Sequence, residues 1–167
     1  MGKKARNNNG NIEVQNGVPS SFSSSKGTVI GGGQYLTDEQ AQEHGWYNVE
    51  DIKTTHSDFD DRIHDIGALS FDTDNNVYKY AKTNKTFSQS LAELKTQKIA
   101  NLEHIYHREL EKTDWIVTKH LELGISVPQD IQDARKALRT ECNNHESSIN
   151  AKSTKNSVVL YDLPNFN

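Results

Sequence analysis

Four places in the 167-residue chain carry side chains able to do chemistry. His104 and His107 stand three apart with Glu103 beside them, a spacing that sets two imidazoles on one helix face. A metal site needs third and fourth ligands and a second shell to orient them, so the pair is expected to be a solvated helix face. Asp72-x-Asp74-x-Asn76 opens like a calcium loop. Its sixth position is Val77, where the sharp turn needs Gly, and its twelfth is Thr83, where a bidentate Glu is needed. The same residues fit a hairpin turn better. Asp58, Asp60, Asp61 and Asp65 form an acidic stretch expected to lie in solvent. Cys142 is the only cysteine, and His145 follows one helical turn later. An activated thiol needs a base or a positive environment, and an inert helix cysteine is the plainer expectation.

The remaining signatures point away from catalysis. Gly31-Gly32-Gly33 does not lead into Gly-Lys-Ser/Thr, so it is no phosphate loop. There is no G-x-S-x-G, H-E-x-x-H or paired-cysteine motif. The expectation is a non-enzyme with no catalytic, cofactor-binding or metal-binding residues, acting through protein contacts.

Composition narrows the class further. Apolar residues make up 33% of the chain, against a globular norm of about 45–50%. Such a share predicts a small core, long exposed elements, or burial against other chains, and hence a homo-oligomer. Nineteen basic and 23 acidic residues leave a charge of −4, which offers no general attraction to nucleic acid or an anionic membrane. No apolar run approaches the ~20 residues that span a bilayer, and no membrane insertion is expected. Met-Gly-Lys-Lys-Ala-Arg leads into polar Asn repeats rather than a secretory apolar core.

The elements that must position these residues are legible in outline. Residues 1–35 are low in complexity, with Asn7-Asn8-Asn9, a serine run and three glycines. Short apolar islands interrupt them, and the segment is expected to be an extended arm. Val18, Phe22, Val29 and Ile30 would insert into neighbouring subunits. Residues 36–85 predict a small α+β unit. Thr37 and Gln40 have capping-box spacing, Gly45 ends the helix, and Trp46 to Glu50 alternates as a strand. Asp74-Asn75-Asn76 then turns a hairpin, with Trp46, Phe71 and Tyr78 as core.

Residues 86–150 read as a helical bundle. Leu91, Leu94, Ile99, Leu102, Ile105, Tyr106 and Leu110 recur at helical spacing. Thr113 or Asp114 can start a second helix, Gly124 stop it, and Pro128 open a third. Ile131, Ala134, Leu138 and Cys142 would mark the inner face of that third helix. Trp115, Gly124, Pro128, Ile131 and Leu138 are the expected clamp at the corner, with Trp115 pinned near Pro128 and Ile131. Residues 151–167 are a tail whose β-prone Val158-Val159-Leu160-Tyr161 would dock on this chain or a neighbour, so Val159, Leu160 and Tyr161 are candidate interface residues. The fold class is therefore α+β, mainly helical: an extended arm, a helix–strand–hairpin unit, and a helical hairpin or three-helix bundle.

The order of three motifs carries a resemblance. Thr113-Asp114-Trp115, Gly124, Val127-Pro128, Arg135 and Ala137-Leu138-Arg139 resemble the C-terminal module of small bacteriophage tail proteins. That group includes tail-fibre assembly chaperones and baseplate- or fibre-associated proteins. Leu36-Thr37-Asp38-Glu39-Gln40-Ala41 followed by Gly45-Trp46-Tyr47-Asn48-Val49 resembles their N-terminal part. Leu91-Ala92-Glu93-Leu94-Lys95 with Lys98-Ile99-Ala100 resembles the linking helix. The resemblance spans about two thirds of the chain. It implies a structural component of a phage virion, in the tail, baseplate or fibre apparatus, partnered by other phage structural proteins and assembled in the host cytoplasm. It equally allows a tail-fibre assembly chaperone. A host-directed binding protein with no virion role is a third expectation.

Overall fold

The computed structural model describes residues 2–166 and comprises two compact units, Met1–Lys85 and Thr86–Asn167. Both helices and strands are present, so the fold is α+β. Helices dominate only the second unit.

The first unit begins with a hairpin where an extended arm was expected. Strand β1 (Lys3–Asn8) pairs antiparallel with β2 (Asn11–Asn16), and Asn8 lies opposite Asn11. Only Asn9 and Gly10 remain for the turn, at φ 52° and 91°. Two successive left-handed residues are what a type I′ turn requires, and Asn-Gly supplies them with little strain. Strand β3 (Phe22–Ser24) pairs with β4 (Gly27–Val29) in a second small hairpin. A 3-10 turn at Gly33–Tyr35 follows. Its Gly33 is obligatory, because a β-carbon there would sit 1.9 Å from the Pro19 carbonyl oxygen.

Helix α1 (Asp38–Glu43) starts with the expected capping box. The Thr37 hydroxyl accepts from the Gln40 N–H at 3.3 Å, and the Gln40 amide oxygen accepts from the Thr37 N–H at 2.9 Å. Gly45 then reverses the chain at φ 83°. The strand expected over 46–50 is brief: β5 (Tyr47–Asn48) joins the free side of β1, giving the order β2-β1-β5. A single turn of helix, α2 (Ile52–Thr55), precedes β6 (His64–Asp72) and β7 (Val77–Asn84), which form the expected hairpin.

The anticipated core of this unit divides in two. Trp46 packs with Val18, Phe22 and Ala41, flanked by Val29 and Leu36. Phe71 and Tyr78 stack instead with Tyr47, at centroid distances of 4.5–6.4 Å. Three of the four residues read as pegs for neighbours, Val18, Phe22 and Val29, thus serve the unit's own interior. That is the physical reason the arm does not remain extended: without Val18 and Phe22, Trp46 would lose two of its three buried partners and meet water.

The second unit consists of α3 (Leu91–Glu111), α4 (Asp114–Glu122), α5 (Gln129–Asn150) and α6 (Lys155–Val159). Ser90 and Glu93 form a capping box at the start of α3. Lys95 Nζ donates to the Asn150 carbonyl at 2.6 Å, and Arg135 Nη1 donates to the Leu110 carbonyl at 2.7 Å, so α3 and α5 run antiparallel. Between them lie Leu102, Tyr106, Cys142 and Ile149.

The third side of this core is not α4, which contains no buried residue. It is closed by the chain after Asn150: Tyr161, Leu163 and Phe166 pack on the same cluster, and Val158 is buried. The Val158-Val159 segment is helical, not extended. Thr154 and Ser157 cap it, and burial of Val158 outweighs a weak β preference over five residues. Ala134, expected on the inner face of α5, is exposed.

Candidate interaction surfaces

The strongest surface feature is the tip of the helical unit. Trp115, Ile116 and Val117 are consecutive, so at 100° per residue they point to well-separated sides of α4 and cannot all face one neighbour. Ile116 and Val117 are half-buried, while Trp115 is 64% exposed. Beyond them Leu121, Leu123 and Ile125 are 71%, 60% and 53% exposed. Trp115 is therefore not pinned near Pro128 and Ile131. A short helix apolar on several sides, with polar residues between, was the available sequence signal for such a surface.

The corner itself is rigid. The Gly124 N–H donates to the Leu121 carbonyl at 3.2 Å, and the Ile125 N–H donates to the His120 carbonyl at 3.0 Å. With Gly124 at φ 66°, this is a Schellman end, as its placement after the periodic residues predicts. Arg135 supplies the clamp that the apolar residues were expected to form. Besides the Leu110 carbonyl, its Nη1 donates to Thr113 Oγ1 at 2.6 Å, and its Nη2 pairs with Asp114 at 2.8 Å. One half-buried guanidinium thereby joins the end of α3, the start of α4 and the body of α5. Of the other expected clamp residues, Pro128 is exposed, Ile131 is half-buried and Leu138 packs on the α3–α5 core.

The candidate interface residues at the two ends separate into groups. Val18 and Phe22 are buried, and Val29 packs against their cluster, so these three are internal. Ile30 alone is open, at 84% exposure. Val159 and Leu160 are half-buried. Tyr161 docks on its own unit: its hydroxyl lies 2.6 Å from His145 Nδ1, and Lys152 Nζ sits 5.3 Å from its ring. The unit-one strands also carry a charged device that sequence reading did not find. The Arg6 guanidinium lies 4.7 Å from the Trp46 ring and 5.7 Å from Phe22. It pairs with Glu13 at 2.8 Å and donates to the Ser23 carbonyl at 2.7 Å. Its placement opposite Glu13 across an Asn-Gly hairpin was the signal available.

The chemistry-bearing residues occupy ordinary structural roles. Asp72 accepts from the N–H groups of Asp74 and Asn75 and from Lys79 Nζ at 2.7 Å. Those donors fill the carboxylate and hold it well below the usual Asp range. Arg62 does the same for Asp60, whose pKa falls to about 2. Asp58 pairs with Lys82 across to β7. His107 faces Glu111 at 3.3 Å on an open helix surface. Among the described residues, no three His, Cys, Asp or Glu side chains converge in a way that could hold a metal ion. Cys142 does not meet His145; its thiol donates to Glu146 Oε1 at 3.5 Å. Burial and the neighbouring carboxylates push that thiol up to about 11, so it stays protonated and unreactive near neutrality. Among the described residues, no helix is long and apolar enough to cross a membrane.

No family model, curated protein or solved structure matches this chain.

Proposed function

We propose that this chain is a non-enzymatic structural component of a bacteriophage virion, placed in the tail, baseplate or fibre apparatus and acting through contacts with other phage structural proteins and with copies of itself. The carrying observation is the ordered set of motifs from Leu36 through Gly45-Trp46 to Thr113-Asp114-Trp115, Val127-Pro128 and Ala137-Leu138-Arg139. The exposed apolar tip of the helical unit supports a role in assembly, since isolated soluble chains rarely leave Trp and several Leu/Ile side chains open together. A rigid helical unit that ends in such a tip suits an adaptor that sets the spacing between subunits. The finer architectural reading, a predominantly helical tail module, rests on the same resemblance.

Mass spectrometry of purified particles tests the reading. Stoichiometric presence of the chain is the expected result. Presence during assembly with absence from finished particles assigns the chain to the tail-fibre chaperones instead. Expression early in infection, without particle association, assigns it to host-directed binding proteins.

A further inference from the structure

Strand β2 is the outer edge of the sheet β2-β1-β5, and the bonding pattern fixes which of its backbone groups are used. The Gly17 N–H donates to the Gly2 carbonyl at 3.1 Å, so Gly2 and Gly17 form a hydrogen-bonded pair of the β1–β2 ladder. Such pairs recur at every second residue of an antiparallel ladder. With Lys4 opposite Gln15, Arg6 opposite Glu13 and Asn8 opposite Asn11, the inner side takes the N–H and C=O groups of Asn11, Glu13, Gln15 and Gly17. On the other side of β1 the Val49 N–H donates to the Lys3 carbonyl at 3.0 Å, as the same alternation requires. The N–H and C=O groups of Ile12, Val14 and Asn16 therefore point away from the sheet, with no backbone partner among the described residues. The Ile12 and Val14 side chains share one face, and each is 39% exposed. Open edges are normally blunted by a Lys, a Pro or a bulge. Asn11–Asn16 contains neither residue, and its register with β1 is unbroken. Its single charge, Glu13, is already met by Arg6 at 2.8 Å and by Asn8 at 2.6 Å.

We infer that β2 is a self-pairing edge, at which two copies of this chain join antiparallel about a two-fold axis at Val14 and continue one sheet across both. The strand matches its own reverse in that register. Val14 meets Val14 of the second copy, Ile12 meets its Asn16, and Glu13 faces its Gln15, so no like charges are opposed. Ile12 lies diagonal to Val14 of the second copy, which joins the apolar residues of both strands in one stripe. An axis at Glu13 would set two carboxylates opposite each other, and an axis at Ile12 or Asn16 would leave much of the strand unpaired. The outward groups of Ile12, Val14 and Asn16 are those that bond in the Val14 register. A two-fold pairing uses the edge of both copies and so closes at a dimer. Each bond replaces one to water and adds little net free energy, so the dimer is reversible. The pairing rests on the copy-to-copy contact in the proposed function and gives that contact a surface.

Sedimentation equilibrium and amide hydrogen exchange of the full chain, over a range of concentrations, test it. The expected species is a reversible dimer of twice the 18.8 kDa chain mass. Exchange at Ile12, Val14 and Asn16 should slow as concentration rises, while Glu13 stays protected throughout. Val14→Pro removes only an outward N–H, so it should weaken association about tenfold or more and leave the hairpin formed. Val14→Lys keeps the N–H, opposes two charges at the axis and should weaken association as well. Val14→Cys should give a disulfide-linked dimer on mild oxidation, since hydrogen-bonded partners stand about 5.5 Å apart at Cα. Ile12→Cys, away from the axis, should not. A wild-type chain that stays monomeric, a dimer whose outward amides exchange as in the monomer, or Val14→Cys that cross-links no better than Ile12→Cys overturns the inference. Particle composition is read separately: a dimer absent from particles sinks only the virion reading, and a monomer found in particles sinks only this one.

Discussion

The two units face the same shortage of apolar residues and close their interiors differently. In the strand unit, Trp46 is buried among Val18, Phe22 and Ala41, and the flank is sealed by a charge: the Arg6 guanidinium lies over the indole and is neutralised by Glu13. Its second cluster, Tyr47, Phe71 and Tyr78, is separate and aromatic. In the helical unit, one continuous core joins Leu102, Tyr106, Cys142 and Ile149, and distant chain after Asn150 is folded back to close it. Short elements can bury only a residue or two each, so they share large rings and recruit polar groups. Long helices offer a repeated stripe and need only one cover. The polar composition reflects a thin layer of core in both units, with apolar side chains left open at Ile30, Tyr35 and Ile66 in the strand unit and at the tip of the helical one.

The largest effects are expected from cutting each core at its centre. Trp46→Ala should cost the strand unit about 3–5 kcal/mol and Ile149→Ala should cost the helical unit about 2–5 kcal/mol. Trp46 is 1% exposed and Ile149 0%, so neither side chain has solvent to fall back on. The helical signal in circular dichroism should survive the first substitution and not the second. Joint loss of both signals in either variant would mean that the units unfold as one. The same reasoning predicts that removing residues 1–34 unfolds the strand unit, because Val18 and Phe22 leave with them.

A smaller effect is expected at the helical corner. Arg135→Met removes three contacts, to the Leu110 carbonyl, Thr113 and Asp114, at a cost of about 2 kcal/mol. Proteolysis within α4 should accelerate, while the α3–α5 core stays protected. Equal protection in the variant would show that α4 is held by its half-buried Ile116 and Val117 instead.

The smallest effect is a difference in alkaline sensitivity. In the folded helical unit burial keeps the Cys142 thiol neutral, with its pKa raised from 9.0 to about 11. A raised acid pKa gives stability that is complete below the unfolded value and is lost as pH rises towards the folded one. The helical unit should therefore weaken from about pH 9, and Cys142→Ala should delay that onset to about pH 10, where Tyr106, raised by burial from 10.0 to about 12, begins to act. Tyr78 is also raised by burial, from a starting value of 10.0, so the strand unit should begin to weaken about one pH unit later. Urea midpoints of the two units across this range check the order.

Local signals in the sequence proved readable wherever a few adjacent residues decide the outcome. The Thr37 capping box, the Gly124 helix stop, the Pro128 restart and the hairpin at Asp74-Asn75-Asn76 all form at their expected places. Legibility failed where distant residues decide. The Asn9-Gly10 turn was visible as a dipeptide, but its strands are mostly Lys, Arg, Asn, Glu and Gln, with only Ile12 and Val14 alternating in the second. Contacts with distant residues make them strands of this unit: β5 pairs with β1, Lys4 meets Asp38, and Arg6 packs on Trp46. Val158 and Val159 are β-prone, yet their helical state accompanies burial of Val158 and packing of α6 on α3. The corner around Trp115 looked like a clamp because its apolar residues were plain, whereas the clamp is a guanidinium twenty residues on whose partners are two backbone and side-chain oxygens and one carboxylate. The candidate surface was legible only as apolar residues without a common face.

Closure of the helical core by the chain after Asn150 sets a timetable for synthesis. Tyr106 meets Phe166, at 5.2 Å between ring centroids, only after sixty further residues have been added. At 5–20 residues per second that is a delay of roughly 3–12 s. Through that interval the α3 stripe is made but not fully covered, even once α5 is complete at Asn150, whereas the strand unit has its whole sequence available by Lys85. Nascent chains on crowded polysomes would therefore be at greatest risk of sticking together through the α3 stripe, and a slowed ribosome between α5 and α6 would lengthen that exposure.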